Sequence, residues 1–388
     1  MKRSIVTKLI LCLALVLLSS ALYLRSPKVV LADTIYVSGA ISTNTTWTAG
    51  NLYVVQGDVT VAQGVSLTIE PGVIVKFQDN ARLIVNGVLN ARGTAGNQIV
   101  FTSYKDDTHG GDTNGDGSAS APAPNDWGWI EFRDSSVDSQ NFLEHCSFRY
   151  GGEIYNSWSG STYRGVVYLA SASPTISQCT FSHNGTYAIG IDTGSFPTVT
   201  GNTFTGNGTN GIGVYGGTIS TAGTWTSTDY PYVPDGDIAV AEGASLTISP
   251  GVVVKGKTNT RLIVNGVLDA RGTTSDQIVF TSYKDDAHGG DTNGDGATTS
   301  SSPGDWRHIW FSNPGVHSVL EYVVVRYGGY GGYMVRSNGA YLTLQHALLE
   351  YSSGDGLYIY HESDDPDVTV RYCTFRLNNG SGVRVVGP

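Results

Sequence analysis

From Asp33 onward the apolar residues fall in short alternating runs. Tyr53-Val54-Val55, Val59-Thr60-Val61, Leu67-Thr68-Ile69 and Val73 to Phe77 each read as a strand, with Glu70-Pro71-Gly72 as a turn. Between Ala81 and Phe101, Leu83, Val85, Leu89, Ala91, Ile99 and Phe101 fall on one face, while Arg82, Asn90, Gln98 and Thr102 fall on the other. Asn86-Gly87 and Gly93 punctuate these strands where turns are expected to need a positive φ. No sustained helical periodicity follows the first 25 or so residues. The chain is expected to be all-β.

The pattern repeats on two scales. Leu67, Leu83 and Ile99 are each 16 residues apart, as are Ile69, Val85 and Phe101. Such a period predicts a β-solenoid in which these residues pile into one column at the inter-strand spacing of about 4.8 Å. On the larger scale, residues 81–117 return at 260–296 with only six of 37 positions changed. The offset of 179 holds from Leu67/Leu246 to Phe132/Phe311. A duplication this close divides the chain into a first segment, 33–217, and a second, 218–388, read as two stacked parts of one solenoid of roughly a dozen coils.

Further along, the interval lengthens to 23: residues 174–184 echo in 197–207. Aligned on Phe148, Phe181, Phe204 and Phe375, Cys146, Cys179 and Cys373 share one coil position with Asn202. That position is expected to point inward. The cysteines there read either as small buried apolar residues in a row or, for Cys146 and Cys179, as a bridge between neighbouring coils, which relaxed disulfide geometry disfavours.

A coil of about 23 residues carrying Ile…Asn-x-Phe…Asn resembles the right-handed parallel β-helix proteins of pectin-lyase-like architecture. The closest likeness is to bacterial secreted β-helix repeat proteins. It is carried by Leu67 to Val75, Leu83 to Gly93, Gln98 to Ser103, Asp112 to Gly117 and Asp126-Trp127. The resemblance implies the fold class, an all-β right-handed parallel β-helix with protruding acidic loops. It says little of activity, because the repeats describe coil packing.

Residues 1–32 read as a secretory signal: Lys2, Arg3 and Lys8 precede an apolar core from Leu9 to Leu24, with cleavage expected before Asp33. The mature chain is then expected to be secreted or held at the cell surface, with no membrane span after cleavage; the alternative is that the apolar core stays uncleaved as an anchor. The formal net charge of −10 argues against nucleic acid and suits divalent cations or neutral glycans. The chain stops at Pro388 without a polar cap, which opens the reading of a fragment of a larger adhesin.

Each segment throws out one acidic loop. Asp112, Asn114 and Asp116 with Gly117 follow the D-x-N-x-D-G spacing that wraps oxygen ligands around Ca²⁺, and Asp291, Asn293 and Asp295 repeat it. Further ligands are sought in Asp106, Asp107 and Asp126 and in their counterparts Asp285, Asp286 and Asp305. The competing reading is a solvated Asp/Asn/Gly turn. Trp127, Trp129, Trp306 and Trp310 flank the loops and, with Tyr155, Tyr163, Tyr330 and Tyr333, could offer flat faces to a polysaccharide or cell-surface glycan.

A polysaccharide lyase or glycoside hydrolase is the catalytic alternative. It would draw on paired carboxylates about 5 to 9.5 Å apart. Candidates are Asp126/Asp305, the run His361-Glu362-Ser363-Asp364-Asp365, and Lys105/Lys284 beside Asp106/Asp285. The duplicated loop favours a non-catalytic scaffold with calcium-ordered loops, since a catalytic centre usually occurs once per chain.

Overall fold

In a computed structural model the chain winds as a parallel β-helix of about 14 turns. The structure describes residues 33–152, 154–157, 160–361 and 368–387. Residues 1–32, read above as a leader, and the acidic run 362–365 lie outside the described residues.

Three strand positions recur in each turn. Ile74–Phe77, Arg82–Val85 and Val88–Arg92 make one turn, and Ile99–Ser103, Ile130–Arg133 and Phe142–Glu144 lie in parallel register on them in the next. Two of the positions merge into one 23-stranded sheet; the third builds two separate six-stranded sheets. A short antiparallel hairpin, Ile154–Ser157 with Gly160–Tyr163, projects from the first segment. The helix of the described residues is a single 3-10 turn, Asp138–Gln140.

The alternation has the expected cause. Leu83, Val85, Leu89, Ala91, Ile99 and Phe101 are all fully buried, whereas Arg82, Asn90 and Gln98 are half-buried. Thr102 departs from it: it is buried beneath the acidic loop and donates to Asp106 at 2.6 Å.

The 16-residue period, however, does not describe a turn. Leu67 lies over Leu89, Leu83 between Val59 and Ile130, and Ile99 beneath Cys146. The three residues thus stand on three different faces, in three columns. A turn takes 22 residues at Leu67/Leu89 and 26 at Val75/Phe101.

The columns themselves are well formed. Phe101, Phe148 and Phe181 stack with ring centroids 4.9 and 4.7 Å apart and planes within 13°. Cys146 and Cys179 are free, buried thiols in successive turns, the Cys146 amide donating to Cys179 Sγ at 3.4 Å. In the next turn Asn202 takes their position, accepting from the Cys179 amide at 2.9 Å. Asn184 and Asn207 stack likewise, each donating to a carbonyl of the preceding turn. Such side-chain ladders satisfy backbone groups at corners where strand pairing lapses.

Gly87 and Gly93 do not have a positive φ. Their role is close approach: a Cβ at Gly87 would sit 2.2 Å from the Val65 carbonyl oxygen, and one at Gly93 2.5 Å from that of His145. The left-handed corners fall to other residues, such as Asn80 and its copy Asn259 at φ 62° and 66°.

Candidate functional site

Each acidic loop leaves the solenoid between two strands of the large sheet: residues 104–129 after Ile99–Ser103, and residues 283–307 after Ile278–Ser282. Its base is held by a residue that the sequence reading passed over. Lys76 lies in the strand Ile74–Phe77 and is fully buried, its ammonium donating at 2.7 Å to the Gly111 carbonyl and at 2.7 Å to Thr113 Oγ1. Lys255 makes the same pair of bonds, to Gly290 and Thr292, at 2.7 Å each. Burial lowers the affinity of both lysines for their proton, against the pull of nearby aspartates; Lys255 is pushed down to about 8. The available signal was a lone lysine inside an apolar strand, recurring at the offset of 179.

A second anchor is Asp106, which accepts from Thr102 at 2.6 Å, from the Thr108 amide at 3.1 Å and from His109 Nδ1 at 2.9 Å. Burial alone would raise its pKa, but hydrogen bonds from His109, Thr102 and Thr108 outweigh burial and hold the carboxyl below the usual carboxylate range. Asp285 repeats the arrangement with Thr281 and His288.

Asp126 and Asp305 close the loop mouth. Asp126 accepts from Ser103 Oγ at 2.7 Å, the Ala123 amide at 2.9 Å and Lys105 Nζ at 3.0 Å. Asp305 does the same with Ser282, Ser302 and Lys284. All four of these carboxylates hold the loop by its base and mouth.

The loop tip is organised differently. Asp112 accepts from the amides of Gly115 and Gly117 at 2.8 and 2.9 Å, and both glycines have a positive φ. Asn114 donates to Asp116 Oδ2 and Ser120 Oγ, each at 2.9 Å. That turns the amide oxygen of Asn114 away from its neighbours, and this buried atom has no hydrogen-bond partner. Asp107 Oδ1 is buried and unpartnered as well, and Asn293 Oδ1 and Asp286 Oδ1 repeat the pair in the second loop.

There the carboxylates also converge. One oxygen each of Asp286, Asp291 and Asp295 lies within 4.8 Å of the others. Burial and the charges of Asp291 and Asp295 raise the pKa of Asp286, the sign expected of like charges gathered around one point. Among the described residues the first loop has no equivalent group of three.

The tryptophans are placed mostly inside. Trp127 is fully buried, stacked on Phe77 at 4.2 Å and bonded through its indole N–H to the Arg149 carbonyl at 2.8 Å. Trp306 is its copy, bonded to the Arg326 carbonyl at 2.9 Å. Neither has a face to offer a sugar, because each fills the corner vacated where the loop departs. Trp129 is buried under Arg82. Trp310 remains half-buried on the outer surface. Tyr330 is exposed and Tyr333 half-buried; the side chains of Tyr155 and Tyr163 lie outside the described residues.

A polar groove of about 640 Å³ runs beside the second loop, between Asp235, Asp237, Lys257, Tyr283, Lys284 and Asp305. Lys257 sits 3.1 Å from Asp235 and over the rings of Tyr187 and Tyr283, at 4.8 and 5.3 Å.

Residues 130–227 match the family model described as a right handed beta helix region. Over 51 residues, 13% of its length, the chain is 45% identical to "Protein bark beetle" of Drosophila melanogaster, and that match spans 2% of the relative. No solved structure matches. No helix of the described residues is long and apolar enough to cross a membrane. The stacked parallel turns, with this match over residues 130–227, show the fold of the chain to be a right-handed parallel β-helix.

Proposed function

We propose that the protein is an exported, non-catalytic scaffold of the cell surface or extracellular space, whose acidic loops are ordered by Ca²⁺ and which binds glycan or a neighbouring surface. The observation that carries the cation reading is the second loop. Three carboxylates converge there, beside unpartnered oxygens of Asp286 and Asn293, an all-oxygen donor set of the kind that Ca²⁺ takes at about 2.3–2.6 Å. Asp107 and Asn114 present the same two unpartnered oxygens in the first loop, where the cation would be held more weakly. Export rests on the leader at residues 1–32.

Calorimetric titration of the full chain with Ca²⁺ tests this. We expect one tight and one weaker site. Asp291→Ala with Asp295→Ala should remove the tight one, and Asp112→Ala with Asp116→Ala the weaker. No heat of binding in the unaltered protein refutes the cation reading.

The polar groove favours a second reading, a polysaccharide lyase or glycoside hydrolase, because carboxylates and lysines line it together. Incubation with acidic and neutral polysaccharides decides between them: new unsaturated or reducing ends would establish catalysis.

A further inference from the structure

The two segments share their loops but not their outer surface. In the first, the outward column on the strands around Ile130–Arg133 runs Ile84, Glu131, Tyr168, Gly190. In the second, the matching column runs Ile263, Trp310, Arg336, Tyr358, Arg384. An acid has given way to alternating rings and guanidiniums.

The Arg336 guanidinium lies 5.3 Å from the Trp310 ring, 5.7 Å from that of Tyr358 and 5.0 Å from that of Tyr333. It donates to Asn338 Oδ1 at 2.7 Å and to the Tyr333 hydroxyl. Among the described residues no carboxylate lies within ion-pairing distance of Arg336 or Arg307. Arg261 is paired with Asp237, and Arg384 stands 3.8 Å from Asp355.

Burial, with the charges of Arg261, Arg307 and Arg336 and against the opposite pull of Asp237, pushes the His308 imidazole down to about 4, so three guanidiniums gather around it with one carboxylate among them. The indole N–H of Trp310 has no acceptor. This positive, ring-bearing strip stands out on a chain of net charge −10.

We propose that the column Trp310–Arg336–Tyr358, with Arg307 beside it, is the docking surface for an acidic glycan. Guanidiniums pair with carboxylate or sulfate groups, and the ring surfaces pack on the sugar. Successive turns are about 4.8 Å apart, so Arg336 and Arg384, two turns apart, repeat cations at roughly 10 Å along the axis and suit a charged chain laid lengthwise. The inference rests on the glycan half of the reading above and is independent of the cation half.

Affinity electrophoresis of the full chain through gels containing alginate, dextran sulfate or neutral dextran tests it. The two acidic polymers distinguish carboxylate from sulfate recognition. Retardation is expected in at least one acidic gel and not in dextran, and it should fall as salt is raised. Trp310→Ala and Arg336→Gln should each weaken it by at least about tenfold. Arg307→Gln supplies a second variant if either misfolds by circular dichroism.

Retention should persist in chelator and in Asp291→Ala, which separates this surface from the cation loops. The proposal is overturned by the absence of retardation in both acidic gels, by equal retardation in dextran, or by variants that fold yet bind unchanged. Binding to anionic lipid vesicles in place of either polymer would also overturn it and assign the strip to a membrane surface.

Discussion

The most consequential single residues are the two interior lysines. A buried ammonium is costly unless its donors are used, and Lys76 and Lys255 each spend theirs on one loop carbonyl and one threonine hydroxyl. Replacement by methionine keeps the packing but strands those acceptors. We expect Lys76→Met and Lys255→Met to free loops 104–126 and 283–305 for proteolysis while the solenoid melts within a few degrees of the parent; mapping the first cleavage sites checks this. Asp106 and Asp285 act in the same place with the opposite electrostatics. Their folded pKa values lie below the usual 3.8, so the stability they supply is present above that value and lost as pH falls through the folded one. The share of the unfolding free energy that these two carboxylates supply should be flat above about pH 5 and decline below it, beneath the earlier loss that the depressed His308 imidazole brings as pH falls from 6.5 towards about 4. Asp106→Asn with Asp285→Asn should remove the carboxylate part of the decline while costing about 1–3 kcal/mol at neutral pH. Urea midpoints followed from pH 7 downward measure both effects.

At the scale of strands and turns, stability comes from columns. Phe148 is sandwiched between Phe101 and Phe181, fully buried, so Phe148→Ala empties the centre of a stack and should cost about 3–5 kcal/mol in denaturant unfolding. The existence of these strands could be read from alternation, because burial on one face leaves a period of two. Their assignment to faces could not. A step of 16 residues crosses two strands of unequal turns, so Leu67, Leu83 and Ile99 walk from face to face while remaining inward, and alternation alone carries no label for the face. The loop tip was legible for a local reason: the D-x-N-x-D-G turn is closed by its own residues. The tether by Lys76 spans 35 residues, so the lone lysine in its apolar strand can be seen in the sequence but the loop it holds cannot. Trp127 and Trp306 misled because aromatic residues beside a loop look the same in sequence whether they fill the corner or face solvent.

Across the whole molecule, the question is how tightly the two segments are coupled. A solenoid's stability is close to a sum of turns and their nearest-neighbour interfaces, so one weak interface sets where unfolding divides. The large sheet is continuous across the junction, with Ile212 on Tyr232 and Ile219 on Val240. The third face is interrupted there, one six-stranded sheet ending at Thr198–Thr200 and the other starting at Ala222–Trp225. Tyr230 spans the gap: its ring stacks on Phe204 at 3.9 Å, and its hydroxyl accepts from the Phe204 amide at 2.7 Å. The second acidic loop leans on the same region, its Thr292 carbonyl accepting from the Asn210 amide at 2.9 Å and Tyr283 bonding Thr209. Tyr230→Ala removes both the ring and the acceptor, a loss of about 3 kcal/mol concentrated at one interface. Scanning calorimetry should then resolve two transitions where the parent shows one, and because the second loop is braced on the first segment, the lower transition should move upward when Ca²⁺ is added. A single transition in the variant would mean that the continuous sheet alone couples the segments and that Tyr230 only covers a seam.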